Sequence, residues 1–265
     1  WLIDRWRKDS LPISPARPYS HFTGNRYAAS WCFDKEHALA TEAFYAKARS
    51  KKMQYLGLVQ EGKILVPSKN HAQYQPTFKP LSDGISFRFK AFSTDTSKTQ
   101  QVNNYPKTPI HIDRICGPVK KLDDTTFQIS FYRMGFNNKK RSNAIWLLAH
   151  HEGDEVYKSA VQQFELKFPL QNTQGIAQKI SFESIPNSQK NIPFVNLKAT
   201  TNAALPVFFY VKEGPAFLQN QRLVFTKIPP KSKMPIKVTV VAWQYGIVGK
   251  VQSAEPVEQS FWIEK

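Results

Sequence analysis

The chain has 265 residues, of which 13% are aromatic and 22% are charged, and its 18 prolines outnumber its 11 glycines. This length suits two or three domains, and the composition argues against disorder and favours strands joined by ordered turns. The formal net charge is +17, but it is spread evenly along the chain, unlike a basic tail or a single recognition helix. No apolar run approaches the ~18 residues that a membrane-spanning helix needs.

The N-terminal third predicts one helix and one hairpin. Prolines at positions 12, 15 and 18 prevent a continuous helix near the start. A helix is predicted over about 34–50, because Asp34 is a good N-cap and apolar residues then recur at i, i+4 spacing. The hairpin follows, with strands over 54–59 and 63–66.

From about residue 76 onwards the pattern is that of β-strands. Apolar and polar residues alternate over 85–91, over 127–132 and over 236–243. Such period-two runs are typical of strands with one buried face and one face that is wet or lightly covered. About seven short runs occur in each stretch of roughly 95 residues, which is the number expected of an immunoglobulin-like sandwich.

The last two-thirds of the chain is an internal repeat. Gly117-Pro118 is matched by Gly214-Pro215, 97 residues later. A phenylalanine follows each glycine by 47 residues, at Phe164 and at Phe261. The repeat is too long for a solenoid unit and matches a small autonomous domain.

These patterns predict a mostly β protein. Two tandem immunoglobulin-like β-sandwiches, over 76–168 and 177–265, would follow a small α+β segment over 1–75 that holds the helix and the hairpin. The polar residues 169–176 would form a short linker. Because the chain opens at Trp1 without Met or a leader, we expect a processed or excised piece that lacks an upstream domain or targeting segment.

The second repeat also carries a recognisable motif. Ile185-Pro186 is followed by Leu197-Lys198-Ala199-Thr200, Leu205-Pro206-Val207 and Gly214-Pro215, and the pattern closes on Val238-Thr239-Val240. It resembles the immunoglobulin-like repeat modules, often of the so-called MBG type, of large secreted and surface bacterial proteins. The resemblance covers mainly 177–265 and more weakly 76–168, and it implies a spacer, stalk or adhesive module beside glycan-processing or cell-surface domains.

The resemblance favours a non-catalytic accessory role. The chain would be part of a larger secreted, periplasmic or cell-surface bacterial protein, would space or dock a neighbouring domain or subunit, and would bind anionic polysaccharide. One alternative is the C-terminal part of a polysaccharide-processing enzyme, in which residues 1–75 complete the active site. The other is a protein that binds polyanions; nucleic acid is not favoured, and no cofactor is expected.

Catalytic and metal-binding candidates are few. His21, Asp34 and Glu36 lie where acid–base chemistry could occur, although Asp34 is explained by capping and Glu36 by the helix dipole. His150, Glu152 and Asp154 belong to the stretch with the most metal-capable side chains. Because neighbours on a strand point to opposite faces, His150 and His151 cannot share one ion there, and an ordinary acidic loop is the favoured interpretation.

Exposed aromatic and basic side chains are the ligand-binding candidates. Trp243 and Tyr245 could stack on sugars, although packing between domains is the simpler use of them. The basic clusters occupy equivalent connections of the two repeats and would suit a long polyanion; they are Lys139, Lys140 and Arg141 in the first repeat and Lys231 and Lys233 in the second. Solvated loops are the simpler interpretation of both.

The two cysteines leave two possibilities open. A disulfide between Cys32 and Cys116 would tie the N-terminal segment to the first repeat and would stabilise it by ~4 kcal/mol. Two separate buried thiols fit the sequence equally well. Two cysteines cannot form a structural zinc site alone, and no Cys-x-x-Cys motif occurs.

Overall fold

The computed structural model of the protein describes residues 50–67, 74–96, 100–102, 109–135, 142–189 and 192–265. The chain divides into two compact units, of which the larger comprises Tyr55–Tyr105, Pro109–His151 and Val161–Lys265. The sheets described below lie almost entirely in this larger unit. The helix predicted over 34–50 falls outside the described residues, apart from Ser50.

In the smaller unit, the described residues cluster around one short bridge. Lys52 pairs with Tyr157 in parallel, and the Lys158 N–H donates to the Lys52 carbonyl at 2.9 Å. The Asp154 side chain accepts hydrogen bonds from the backbone N–H groups of Val156 and Tyr157 at 2.8 and 2.7 Å. Asp154 therefore closes a tight turn.

Within the described residues, nine strands belong to the first sandwich and to the hairpin that precedes it. They are β1 (Tyr55–Gln60), β2 (Lys63–Ile64), β3 (Ser86–Arg88), β4 (Lys90–Thr94), β5 (His111–Cys116), β6 (Val119–Lys121), β7 (Thr126–Ile129), β8 (Ala144–His151) and β9 (Ala160–Lys167). The sheet orders are β2-β1-β4, β3-β7-β6 and β5-β8-β9. The predicted hairpin is β1 and β2, which pair antiparallel, and β1 also pairs with β4, which ties the hairpin to the first sandwich.

The second sandwich contains the other nine strands. They are β10 (Ile180–Phe182), β11 (Ser188–Gln189), β12 (Phe194–Asn196), β13 (Ala199–Thr201), β14 (Phe208–Glu213), β15 (Ala216–Gln219), β16 (Arg222–Phe225), β17 (Ile236–Trp243) and β18 (Val257–Glu264). The sheets are β11-β18-β17-β14, β12-β16-β15 and β10-β13. The predicted fold class, a mostly β protein with tandem immunoglobulin-like sandwiches, is confirmed; the limits of the three domains stay predictions.

Each sandwich buries one side of its period-two strands. In β8 every second residue is buried, as the alternating sequence predicts. The core of the first sandwich is rich in phenylalanine, whereas valine and isoleucine dominate the second, where β17 supplies the central side chains Val238, Val240 and Ala242. The buried phenylalanines of the first sandwich include Phe87, Phe89, Phe127 and Phe164.

The internal repeat is visible in the backbone. The register between β5 and β8 shifts between Arg114 and Cys116, and the register between β14 and β17 shifts between Val211 and Glu213. These two bulges are 97 residues apart, like the Gly-Pro pairs that follow them. Gly117 and Gly214 both have φ near 100°, a value that side chains rarely allow. The two repeats therefore share one strand geometry.

An alanine at either repeat glycine should destabilise the fold strongly. A Cβ would lie 2.5 Å from the Ala144 carbonyl oxygen at position 117, and 2.7 Å from the Lys237 carbonyl oxygen at position 214. For Gly214→Ala we expect the free energy of unfolding, measured with urea, to fall by about 2 kcal/mol or more. Gly249→Ala is the matched control, because Gly249 also has positive φ but has open space around it. Equal losses in both variants would contradict the role of the close approach.

Candidate functional site

The outer face of the β11-β18-β17-β14 sheet is buried, although the alternation along β17 predicts a wet or lightly covered face there. Val241 and Trp243 lie on this face and are 0% and 1% exposed. The ring of Phe131, which comes from the first sandwich, covers them: its centroid is 4.6 Å from that of Trp243 and 6.1 Å from that of Tyr210. The first sandwich therefore supplies the cover for this part of the second.

A second group of rings extends this contact. Tyr245 is fully buried, and its ring centroid lies 6.2 Å from that of Phe78 and 6.5 Å from that of Phe168, both in the first repeat. The Tyr245 hydroxyl donates a hydrogen bond to the Pro169 carbonyl at 2.7 Å. Burial raises the pKa of Tyr245 to about 12, because the phenolate would lose its hydration.

We call this set of rings the aromatic junction. It contains Phe78, Phe131 and Phe168 from the first sandwich and Tyr210, Trp243 and Tyr245 from the second. The rings meet edge to face or tilted, which are the favourable arrangements for aromatic pairs.

The two main chains also approach each other directly at the junction. The Arg133 N–H donates to the Val211 carbonyl at 3.0 Å, so the loop after β7 hydrogen-bonds to the outermost strand of the neighbouring sheet. A Cβ at Gly84 would overlap the carbonyl oxygen of Gly246. Contacts this close leave little freedom for one sandwich to move against the other.

The predicted linker over 169–176 is tied down along its length. The Asn172 side-chain amide donates to the Val251 carbonyl at 2.7 Å, and the Ser253 N–H donates to the Asn172 carbonyl at 2.8 Å. Ile176 and Lys250 are joined by a further backbone hydrogen bond of 2.9 Å. The polar residues of this segment therefore serve as hydrogen-bonding partners for residues 250–253, and the segment is not a free tether.

Trp243 and Tyr245 are not available as a stacking platform, and the ligand-binding prediction for them is wrong. A buried ring has no free face for a sugar. Their alternative use, packing between domains, describes the contacts that they make. The error has a physical cause: alternation along β17 predicts which residues share a face, but it carries no information on what covers that face.

The basic candidates divide by where they lie in the chain. Lys231 and Lys233 are exposed in the turn before β17, and neither forms an ion pair with a described acidic residue. The equivalent cluster of the first repeat and the acid–base candidates fall outside the described residues. The positions outside are His21, Cys32, Asp34, Glu36, Lys139, Lys140 and Arg141.

His150 takes part in an ion-pair network on the outer face of the β5-β8-β9 sheet. Its Nε2 atom lies 2.8 Å from an Asp113 carboxylate oxygen, and the Lys121 ammonium donates to the other oxygen at 2.9 Å. The hydrogen bond with His150, and then that with Lys121, lower the pKa of Asp113 below its ordinary value. His151 is buried on the opposite side of β8, as predicted from strand geometry.

The predicted metal-binding group is not assembled. Glu152 is exposed, Asp154 caps its own turn and His150 is engaged by Asp113. Within the ranges that the structure describes, no three His, Cys, Asp or Glu side chains are grouped closely enough to hold a metal ion. Cys116 is exposed, so the prediction of a buried thiol at this position is wrong; its pairing with Cys32 lies outside what is described and stays a prediction.

Sequence reasoning missed the first-sandwich side of the junction. No local pattern distinguishes Phe78 or Phe168, and the alternation over 127–132 predicts only that Phe131 belongs to a strand. A usable signal was present in β17, where Val241 and Trp243 make the second face apolar as well. A strand that is apolar on both faces indicates cover on both sides.

Comparisons with known proteins add little to this geometry. No protein-family model matches the chain, and no curated protein matches it. Among solved structures, human protocadherin-24 EC1-2 has a TM-score of 0.27 at 8% identity, over 60% of this chain and 83% of that one. Drosophila N-cadherin EC1-4 has 0.24 at 9%, over 73% and 48%, and mouse clustered PcdhgC3 EC1-3 has 0.25 at 12%, over 76% and 67%.

Likeness at this level carries no argument about function, and the immunoglobulin-like assignment rests on the strands themselves. The MBG type is supported by neither the family models nor the solved structures. In the described part of the chain, no helix is both long and apolar enough to cross a membrane.

Alkaline pH should destabilise the protein through its buried tyrosines. Folded Tyr245 and Tyr74 keep their protons to about pH 12 because burial raises their pKa, whereas unfolded tyrosine loses its proton near pH 10. This stabilising contribution is complete below pH 10 and is lost as the pH rises through 12. Urea unfolding at a series of pH values should show the decline, and Tyr245→Phe should make it shallower. An unchanged slope in the variant would contradict the assignment to Tyr245.

Proposed function

We propose that this chain is a non-catalytic structural tandem, in which two immunoglobulin-like sandwiches act as one stiff spacer that positions a neighbouring domain. The observation that carries the proposal is the aromatic junction, where rings from both repeats are buried against each other. Two domains that must stay at a fixed angle need a dry, closely packed interface of this kind, because polar interfaces allow relative motion.

The setting that suits such a spacer is a larger secreted or cell-surface protein. There a rigid pair of domains would hold a partner domain at a set distance from its base. A bacterial source, and a neighbouring domain that processes polysaccharide, are part of this proposal and derive from the sequence motif. The enzyme alternative depends on residues 1–75, and it assigns no reaction to either sandwich.

If the tandem is one mechanical unit, its two sandwiches should unfold together. We expect a single calorimetric transition for the whole chain. In the double variant Phe131→Ala, Trp243→Ala we expect two separated transitions. The free energy of unfolding should fall by about 3 kcal/mol or more, because large buried rings are removed from the contact between the domains.

Trp262→Ala provides the control for this experiment. Trp262 is a tryptophan of the same sandwich, but it is 43% exposed and does not belong to the junction. Its removal should leave one transition close to the original temperature. Two separated transitions in the unmodified chain would rule out the stiff-spacer role.

Binding to anionic glycan is a second candidate, carried by the exposed ammonium groups of Lys231 and Lys233, which form no ion pair with a described acidic residue. The even excess of cations along the chain favours a surface that attracts polyanions. We expect affinity for heparin that weakens severalfold in Lys231→Ala, Lys233→Ala and that falls steeply with salt. Titration of fluorescent heparin at low and high salt measures both effects, and affinity that is independent of salt would eliminate this candidate.

A further inference from the structure

The outer face of the β12-β16-β15 sheet carries a row of apolar side chains that is open to solvent. Phe194 in β12 and Phe217 in β15 both pair in register with Val224 in β16. The three side chains therefore lie side by side across all three strands. Phe194 is 38% and Phe217 is 44% exposed. We call these three residues the apolar row.

The first repeat shows that the fold does not need apolar residues here. The equivalent row there consists of Ser86 in β3, Gln128 in β7 and Lys120 in β6, with the same register. Two of these polar side chains have partners: Ser86 donates to Asp83 at 2.6 Å and Gln128 donates to Ser86 at 3.1 Å. At this place in the sheet, the first repeat therefore carries polar side chains and the second repeat carries apolar ones.

A cation lies directly beside the apolar row. The guanidinium of Arg222 sits 4.7 Å from the centroid of the Phe194 ring, and Arg222 forms no ion pair with any described residue. A guanidinium that stacks on a ring keeps its N–H groups free to bind a carboxylate at two points. The equivalent position of the first repeat holds Thr126, which has no charge.

A small groove with both polar and apolar walls lies where the chain enters β12, and Phe225 and Thr226 contribute to its lining. It has a volume of about 290 Å³, and its walls include Ile192 and Pro193, which directly precede Phe194, together with Ile228 and Ile263. Lys227, which is exposed, also lines it. The groove therefore adds a recess of mixed polarity and a second cation to this end of the sheet.

We propose that the apolar row, Arg222 and this groove form a docking surface for an extended, acidic segment of a partner protein whose apolar side chains alternate with carboxylates. Phenylalanine and arginine are both enriched at protein interfaces, and arginine is among the residues that contribute most to binding energy there. The two cations on this surface provide the charge complementarity for an acidic segment.

A second copy of the chain fits this surface poorly. The protein carries 37 Lys and Arg against 20 Asp and Glu, and the charged groups at the surface, Arg222 and Lys227, are both cationic. A two-fold contact would bring the cations of one copy close to the cations of the other. Such like-charge contacts cost free energy, whereas an acidic partner gains it.

The test is a titration of the whole chain with a fluorescein-labelled peptide, Phe-Thr-Glu-Thr-Phe-Thr-Glu. In an extended conformation this peptide places its phenylalanines and glutamates on one face. A second peptide with glutamine in place of glutamate measures the contribution of charge. We expect saturable binding of the glutamate peptide and at least about tenfold weaker binding of the glutamine peptide, consistent with the strength of charge-assisted hydrogen bonds.

The first repeat supplies the substitutions. Phe194→Ser, Val224→Gln, Phe217→Lys transplants its polar row, and Arg222→Thr transplants its uncharged residue. Because the substituted side chains are at least partly exposed, circular dichroism should show an intact fold. We expect peptide binding at least about tenfold weaker in the row variant and severalfold weaker in Arg222→Thr. Trp262→Ser is the control, since Trp262 is an exposed tryptophan opposite Lys237 on another sheet, and it should bind like the unmodified chain.

Several outcomes would overturn the proposal. They are absence of saturable peptide binding, unchanged binding in the row variant, and equal loss in Trp262→Ser. If the row variant binds the peptide more weakly while Arg222→Thr binds it normally, the proposal that the partner segment is acidic is wrong. Tighter binding of heparin through the same residues would assign the surface to glycan. Dimers in sedimentation velocity that disappear in the row variant would assign it to a second copy.

Discussion

The contact between Phe131 and Trp243 is the interaction on which the rest of the tandem depends. It closes the outer face of the second sandwich's four-stranded sheet, so that β17 is buried on both sides over most of its length. Once that face is closed, Tyr245 is enclosed between Phe78 and Phe168. The segment 169–176 is then held against residues 250–253 by hydrogen bonds. A pair of small domains thereby becomes a single packed body.

The two repeats share a backbone geometry, but the outer faces of their corresponding sheets differ in polarity. Position for position, His111 and His150 of the first repeat correspond to Phe208 and Trp243 of the second. The first repeat keeps this face polar with an ion pair, whereas the second buries it. On the other sheet the pattern reverses, because Ser86 is replaced by Phe194. Both choices are compatible with the shared strand geometry, so the backbone alone does not fix the polarity of either outer face.

Much of the fold was predictable from local pattern. The period-two runs identified β8 and β17 as strands, and the paired Gly117 and Gly214 marked the repeat, because only glycine adopts that backbone conformation readily. The candidate site was not predictable in the same way. The pattern around β17 identifies Trp243 and Tyr245 as candidates, but a single strand predicts exposure for residues that are buried. Burial depends on residues more than 70 positions away, and no local pattern reports on those.

The sequence by itself determined the strands, the repeat and the side of each strand that faces its own core. These properties follow from alternation and turn chemistry, which act between near neighbours. Only the tertiary structure decided which outer faces are covered. The same kind of aromatic side chain is buried at Trp243 and exposed at Phe194, and the difference is whether a ring of the other sandwich reaches it. Whether an outer face is covered depends on how two whole domains pack together, and the sequence of one strand does not show which residues of the other domain reach it.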